Sequence, residues 1–80
     1  MRRAFVVVES ETQIEFIAYG HIRDVYGPFP TCRVARTAAN RLASKEENSH
    51  LTFGVRRLYK REGIGSRVLG TFKGKPRRAT

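Results

Sequence analysis

Tyr26-Gly27-Pro28-Phe29-Pro30-Thr31, running straight into the segment Cys32 to Lys45, is the part of this chain from which an architecture can be built. Prolines at 28 and 30 hold the residues before them extended, and Thr31 carries a side-chain oxygen suited to the free amides that open a helix. From Cys32 to about Lys45 the 3.6-residue period gathers Val34, Ala35, Ala38, Ala39 and Leu42 on one arc. Arg33, Arg36, Thr37, Asn40 and Ser44 occupy the other. The spacing predicts a strand-to-helix turn and an amphipathic helix with one packed face. Alanines allow close approach to a sheet but bury little area each, so Phe5, Phe16, Phe29 and Phe53 are expected to supply the bulk. Glu46 and Glu47 sit where the helix macrodipole is negative, which predicts a frayed end there.

Upstream of the turn, Ala4 to Val8 is β-branched and aromatic and reads as a strand buried on nearly both faces. Glu9 to Thr12 reads as a polar connection. Ile14, Phe16 and Ala18 then alternate with Gln13, Glu15 and Ile17 as a second strand, which continues through Ile22 and Val25. Pro28 lacks a backbone donor, so pairing is expected to stop at Gly27-Pro28. Downstream, Leu51, Phe53 and Val55 alternate with Thr52, Gly54 and Arg56 in a third strand that extends through Tyr59. The expected fold class is α+β: a small β-β-α-β domain, an antiparallel sheet covered by one helix, with a candidate fourth edge strand at Arg67 to Phe72. Residues 1–72 form the domain in this reading, and 73–80 a flexible basic C-terminal tail.

Charge is the main functional indication. The chain of 80 residues holds 16 Lys and Arg against 7 Asp and Glu, a formal net charge of +9. Residues 51–80 carry nine cations (Arg56, Arg57, Lys60, Arg61, Arg67, Lys73, Lys75, Arg77 and Arg78) against the single anion Glu62, whereas the first fifty are almost neutral. A field pointing from one end of a molecule attracts nucleic acid, an anionic membrane or an acidic protein surface, and of these no membrane partner is expected. Those nine cations are therefore the candidate binding residues, for a partner that is DNA, RNA or an acidic host protein. The plainer alternative is a solubilising surface. Tyr59 and Phe72 read as edge packing before base-stacking platforms, and Arg33, Arg36, Asn40 and Arg41 as a solvated helix face before a groove reader.

Catalysis and cofactors find little support. Cys32, His21 and His50 are the soft metal ligands, and no two stand at zinc-site spacing. Tyr19 to Asp24 mixes a phenol, an imidazole, a guanidinium and a carboxylate, but strand alternation separates Asp24 from the others. Gly63-Ile64-Gly65 with Gly70 misses the dinucleotide fingerprint and reads as a hinge. No enzyme activity, cofactor, metal or small-molecule substrate is expected. One cysteine permits no internal disulfide, and the apolar run Ala4 to Val8 is too short for a leader or a membrane span, so a cytoplasmic protein is expected.

The Gly27-Pro28-Phe29 turn launching an alanine-bearing helix after a hairpin resembles small accessory proteins of bacteriophages, particularly those infecting actinobacteria, over about residues 4 to 59. That resemblance implies a bacterial host cytoplasm and action by binding host proteins or nucleic acid. With the basic C-terminal region, the expectation becomes a non-catalytic phage-type accessory protein that engages nucleic acid. The alternative is a phage-encoded modulator or inhibitor that binds an acidic host protein surface.

Overall fold

A computed structural model of the chain describes residues 4–11 and 22–74. Within them the apolar run at the N-terminus opens β1 (Ala4–Glu11), followed by β2 (Ile22–Phe29), α1 (Cys32–Ser44), β3 (Leu51–Tyr59) and β4 (Gly63–Lys73). The four strands form one antiparallel sheet in the order β2-β1-β3-β4. The class is therefore α+β, but the order is β-β-α-β-β. The fourth strand is eleven residues long and includes Gly63 to Gly65, which are strand and not hinge. The strand expected at Ile14, Phe16 and Ala18 lies outside the described residues, as do Lys75, Arg77 and Arg78.

β1 is central, and Phe5 through Ser10 are all buried. Glu9 and Ser10, expected in a connection, thus belong to the strand, paired with Phe53 and Thr52 of β3. β2 also departs from expectation, because it runs through Gly27-Pro28 to Phe29. Phe5 pairs with Phe29 and Val7 with Tyr26, so two residues of β2, Gly27 and Pro28, stand opposite the single Val6. That is a bulge on an edge strand, where a residue without an N–H is tolerated. Gly27 takes φ 126, a conformation that a residue with a Cβ rarely adopts.

Thr31 caps α1 as its side chain suggests, Oγ1 accepting from the Val34 N–H at 3.1 Å. The other end is tied down instead of frayed. The Lys45 N–H and the Asn48 side-chain amide both donate to the Leu42 carbonyl, at 3.3 and 2.9 Å. These bonds satisfy a carbonyl that a helix end would otherwise leave open. A single 3-10 turn, Glu46–Asn48, then leads into β3.

The packed face of α1 is narrower than its apolar arc. Ala35, Ala39 and Ala43 lie against Phe5, Val7, Leu51, Phe53 and Val55, while Ala38 and Leu42 are half-buried and Val34 is 43% exposed. Phe53, Val7 and Val55 are the large side chains fully removed from solvent. Phe5 and Phe53 supply bulk as expected, Phe29 packs from the margin, and Phe16 lies outside the described residues. At the far edge the Gly74 N–H donates to the Leu51 carbonyl at 2.8 Å, which carries the ordered backbone one residue past β4. Among the described residues no helix is long and apolar enough to cross a membrane.

Two substitutions check this geometry by urea unfolding. Phe53→Ala should remove about 3 to 5 kcal/mol, enough to abolish the folded baseline in a domain this small. Val34→Ala, a change on the same apolar arc of sequence but at an exposed site, should shift stability by no more than about 0.5 kcal/mol. Equal losses would show that Val34 packs in the core after all.

Candidate functional site

The β3–β4 hairpin gathers part of the basic region at its tip. Tyr59 pairs with Gly63, leaving Lys60, Arg61 and Glu62 as an exposed connecting turn. Arg57 pairs with Phe5 on the helix-bearing side of the sheet, and its guanidinium carbon stands 5.2 Å from the centre of the Tyr59 ring. At that distance the ring face attracts the cation and holds it near the tip. Gly65 makes room for the ring: a Cβ there would meet Tyr59 Cε2 at 2.8 Å and the Arg57 carbonyl at 3.1 Å. Arg67 joins Arg57, Tyr59, Phe5 and Leu69 around a hollow of about 230 Å³ on this side.

The helix adds cations that the C-terminal reading omitted. Over its 13 residues α1 carries Arg33, Arg36 and Arg41 and no acidic residue. Arg36 reaches β4, where a methyl placed on Gly70 would lie 3.5 Å from its Nε. The start of α1 follows Phe29, which pairs with Phe5, and Phe5 also pairs with Arg57. The positive end of the helix dipole and the hairpin tip therefore occupy the same end of the sheet.

The six candidate cations among the described residues do not form one surface. Arg57 and Arg67 lie on the helix side, with Lys60 and Arg61 at the tip. Arg56 pairs with Val6 and Lys73 with Thr52, which places both on the opposite face of the sheet. Arg56 Nε is buried there with no hydrogen-bond partner among the described residues. Lys73, expected in the tail, is a residue of β4.

A second feature lies along the other flank of α1. Between α1 and β2 runs a groove of about 740 Å³, floored by Tyr26, Phe29, Val34, Ala38 and Leu42 and rimmed by Arg33, Arg41 and Lys45. The sequence hides it, since Val34 and Leu42 look like core residues. Its wall is braced by Tyr26, whose ring stands 6.3 Å from that of Phe53 and whose hydroxyl donates to Glu9 Oε1 at 2.7 Å. Glu9 is buried, and Arg23 balances it from β2 at 3.8 Å while also meeting Glu11 at 3.6 Å.

Cys32 is half-buried at the first turn of α1. Among the described residues no cluster of His, Cys, Asp and Glu is arranged to hold a metal ion. No protein-family model matches the chain, and neither do the curated proteins or the solved structures compared with it.

The hydrogen bond to Glu9, then burial, then the nearby Glu9 and Asp24 charges push the Tyr26 phenol up from 10.0 to about 12. A folded-state value above the unfolded one means that this contribution to stability is complete below pH 10.0 and disappears as pH rises through about 12. Alkaline titration followed by tyrosinate absorbance should show a late component near pH 12 that Tyr26→Phe deletes and Glu9→Gln moves down. A late component that survives Tyr26→Phe would refute the assignment.

Proposed function

We propose that the protein is a non-catalytic accessory binding module of the phage type that engages nucleic acid through phosphates, with little reading of bases. The observation that supports this most is the convergence of Arg57, Lys60, Arg61 and Arg67 on one hairpin end, with Arg36 of an acid-free helix further back along β4 against Gly70. A β-hairpin with an exposed cationic turn suits a phosphate backbone, because long Lys and Arg side chains at the turn can follow it while the sheet fixes the spacing of Arg57 and Arg67. A mere solubilising surface would not require its cations to converge. The opposite-face residues Arg56 and Lys73 stand apart from this surface, and the nucleic-acid contact is assigned to the tip and α1. The site of action is the host cytoplasm, as the phage resemblance implies.

Binding to a short duplex and to single-stranded RNA should weaken steeply with salt. Five phosphate contacts correspond to a slope in log affinity against log salt of about −4.5 on the duplex and about −3.5 on the single strand. Lys60→Ala and Arg61→Ala should each flatten that slope by about 1 and weaken all sequences alike. Absence of binding at low salt, or slopes indifferent to both substitutions, would remove this reading.

A further inference from the structure

We propose that the groove between α1 and β2 is a docking site for an acidic amphipathic helix of a partner protein. This surface is separate from the hairpin tip and stands whether or not the tip binds nucleic acid. Its floor is apolar: Val34, Ala38 and Leu42 follow one another at four-residue intervals along α1, with Tyr26 and Phe29 facing them from β2. Val34 is 43% exposed, an uncommon state for a β-branched residue on a helix that has a core to pack against. Arg33, Arg41 and Lys45 stand along the helix edge of the same groove, and among the described residues no carboxylate lines it. Among the described residues the salt bridges to Glu9 and Glu11 are made by Arg23 and not by Arg33 or Arg41. Of the described carboxylates near the wall, Glu9 is turned to Tyr26 and Arg23, and Asp24 accepts from the Val25 N–H.

The form of the occupant follows from the dimensions. Arg33 to Lys45 spans about 18 Å at the helical rise, which matches a partner helix of about three turns. Arg33 and Arg41 are about 12 Å apart along that axis, and Arg41 and Lys45 about 6 Å, so acids two turns and one turn apart on the partner meet them. The groove is open on its long side and covers one face of whatever lies in it. An apolar stripe of residues at i, i+4 and i+7 is that face. A strand added to β2 is the poorer fit, since Pro28 offers no amide and the Gly27-Pro28 bulge breaks the edge.

The probe is a fluorescein-labelled peptide of about 15 residues, long enough for some helicity, with leucines on one face and glutamates elsewhere. Its controls are a scrambled peptide of equal composition and a version with lysine for every glutamate. Anisotropy titration with the full chain should give saturable binding of the first peptide, weakened at least about tenfold by Val34→Asp, which places a charge in the apolar contact. Arg41→Glu should weaken it similarly, and both controls should bind at least about tenfold more weakly. Lys60→Glu with Arg61→Glu should leave peptide affinity unchanged. Both groove positions are exposed, and unaltered circular dichroism confirms that the variants fold. Equal binding of the scrambled peptide, indifference to Val34→Asp, or amide shift changes centred away from α1 and β2 would overturn the proposal. So would displacement of the peptide by a short duplex that shifts the same amides, which would give the groove to nucleic acid.

Discussion

Everything on the helix side of the sheet depends on the contact between Ala35, Ala39 and Ala43 and the central strands. A methyl group is the only side chain under the helix at each of these points, so α1 rides directly on Val7, Phe53 and Val55 and leaves them without solvent. Larger side chains cannot share that line. Val34 and Leu42, one position before Ala35 and Ala43, are turned about 100° away and come to lie along the β2 flank. The groove is therefore a consequence of how the core closes: shallow packing beneath the helix and unused apolar surface beside it come from the same choice of residues.

That geometry also divides the cations. Helix residues beside the alanine line point to solvent or to the flanks, and strand residues alternate between the two faces. Adjacent Arg56 and Arg57 are consequently sent to opposite sides of the sheet, however close they stand in the chain. The hairpin turn escapes this alternation, since Lys60 and Arg61 lie beyond the last strand pair and are bound to neither face. Among the described cations of β3 and β4, Arg57, Lys60, Arg61 and Arg67 gather where the sheet ends, while Arg56 and Lys73 lie on the other face.

The elements whose signals are local were legible in the sequence. Thr31 after two prolines marks a helix start by chemistry, and Leu51, Phe53 and Val55 mark an inner strand face by alternation. Failures came where distant pairing decided the outcome. Nothing near Glu9 in the sequence announces Tyr26 as its donor, so a buried carboxylate looked like a connection. Pro28 looked like a stop because a proline in mid-sheet removes a needed bond, and it became tolerable only because β2 is an edge strand with a bulge to absorb it. The helix arc was readable but too wide: Val34 and Ala35 are about 100° apart, and one stripe of contact cannot hold both. The four-residue spacing of Ala35, Ala39 and Ala43 marks the narrower stripe in the sequence itself.

The two edges of the sheet explain why recognition is assigned to side chains and not to backbone. β2 lacks a donor at Pro28 and bulges twice, at Gly27-Pro28 and again between the Asp24 and Ile22 pairs. β4 shifts register twice against β3, once beside Leu69 and once over Gly65 to Arg67. Bulges twist a strand and interrupt the row of amides and carbonyls that another chain would need for continuous pairing. With both edges broken, growth of the sheet by a second strand is disfavoured on either side. Among the described residues, two surfaces that secondary structure presents without an edge remain suited to specific contact: a charged turn beyond the last pair, and an apolar channel along the helix with cations on its rim.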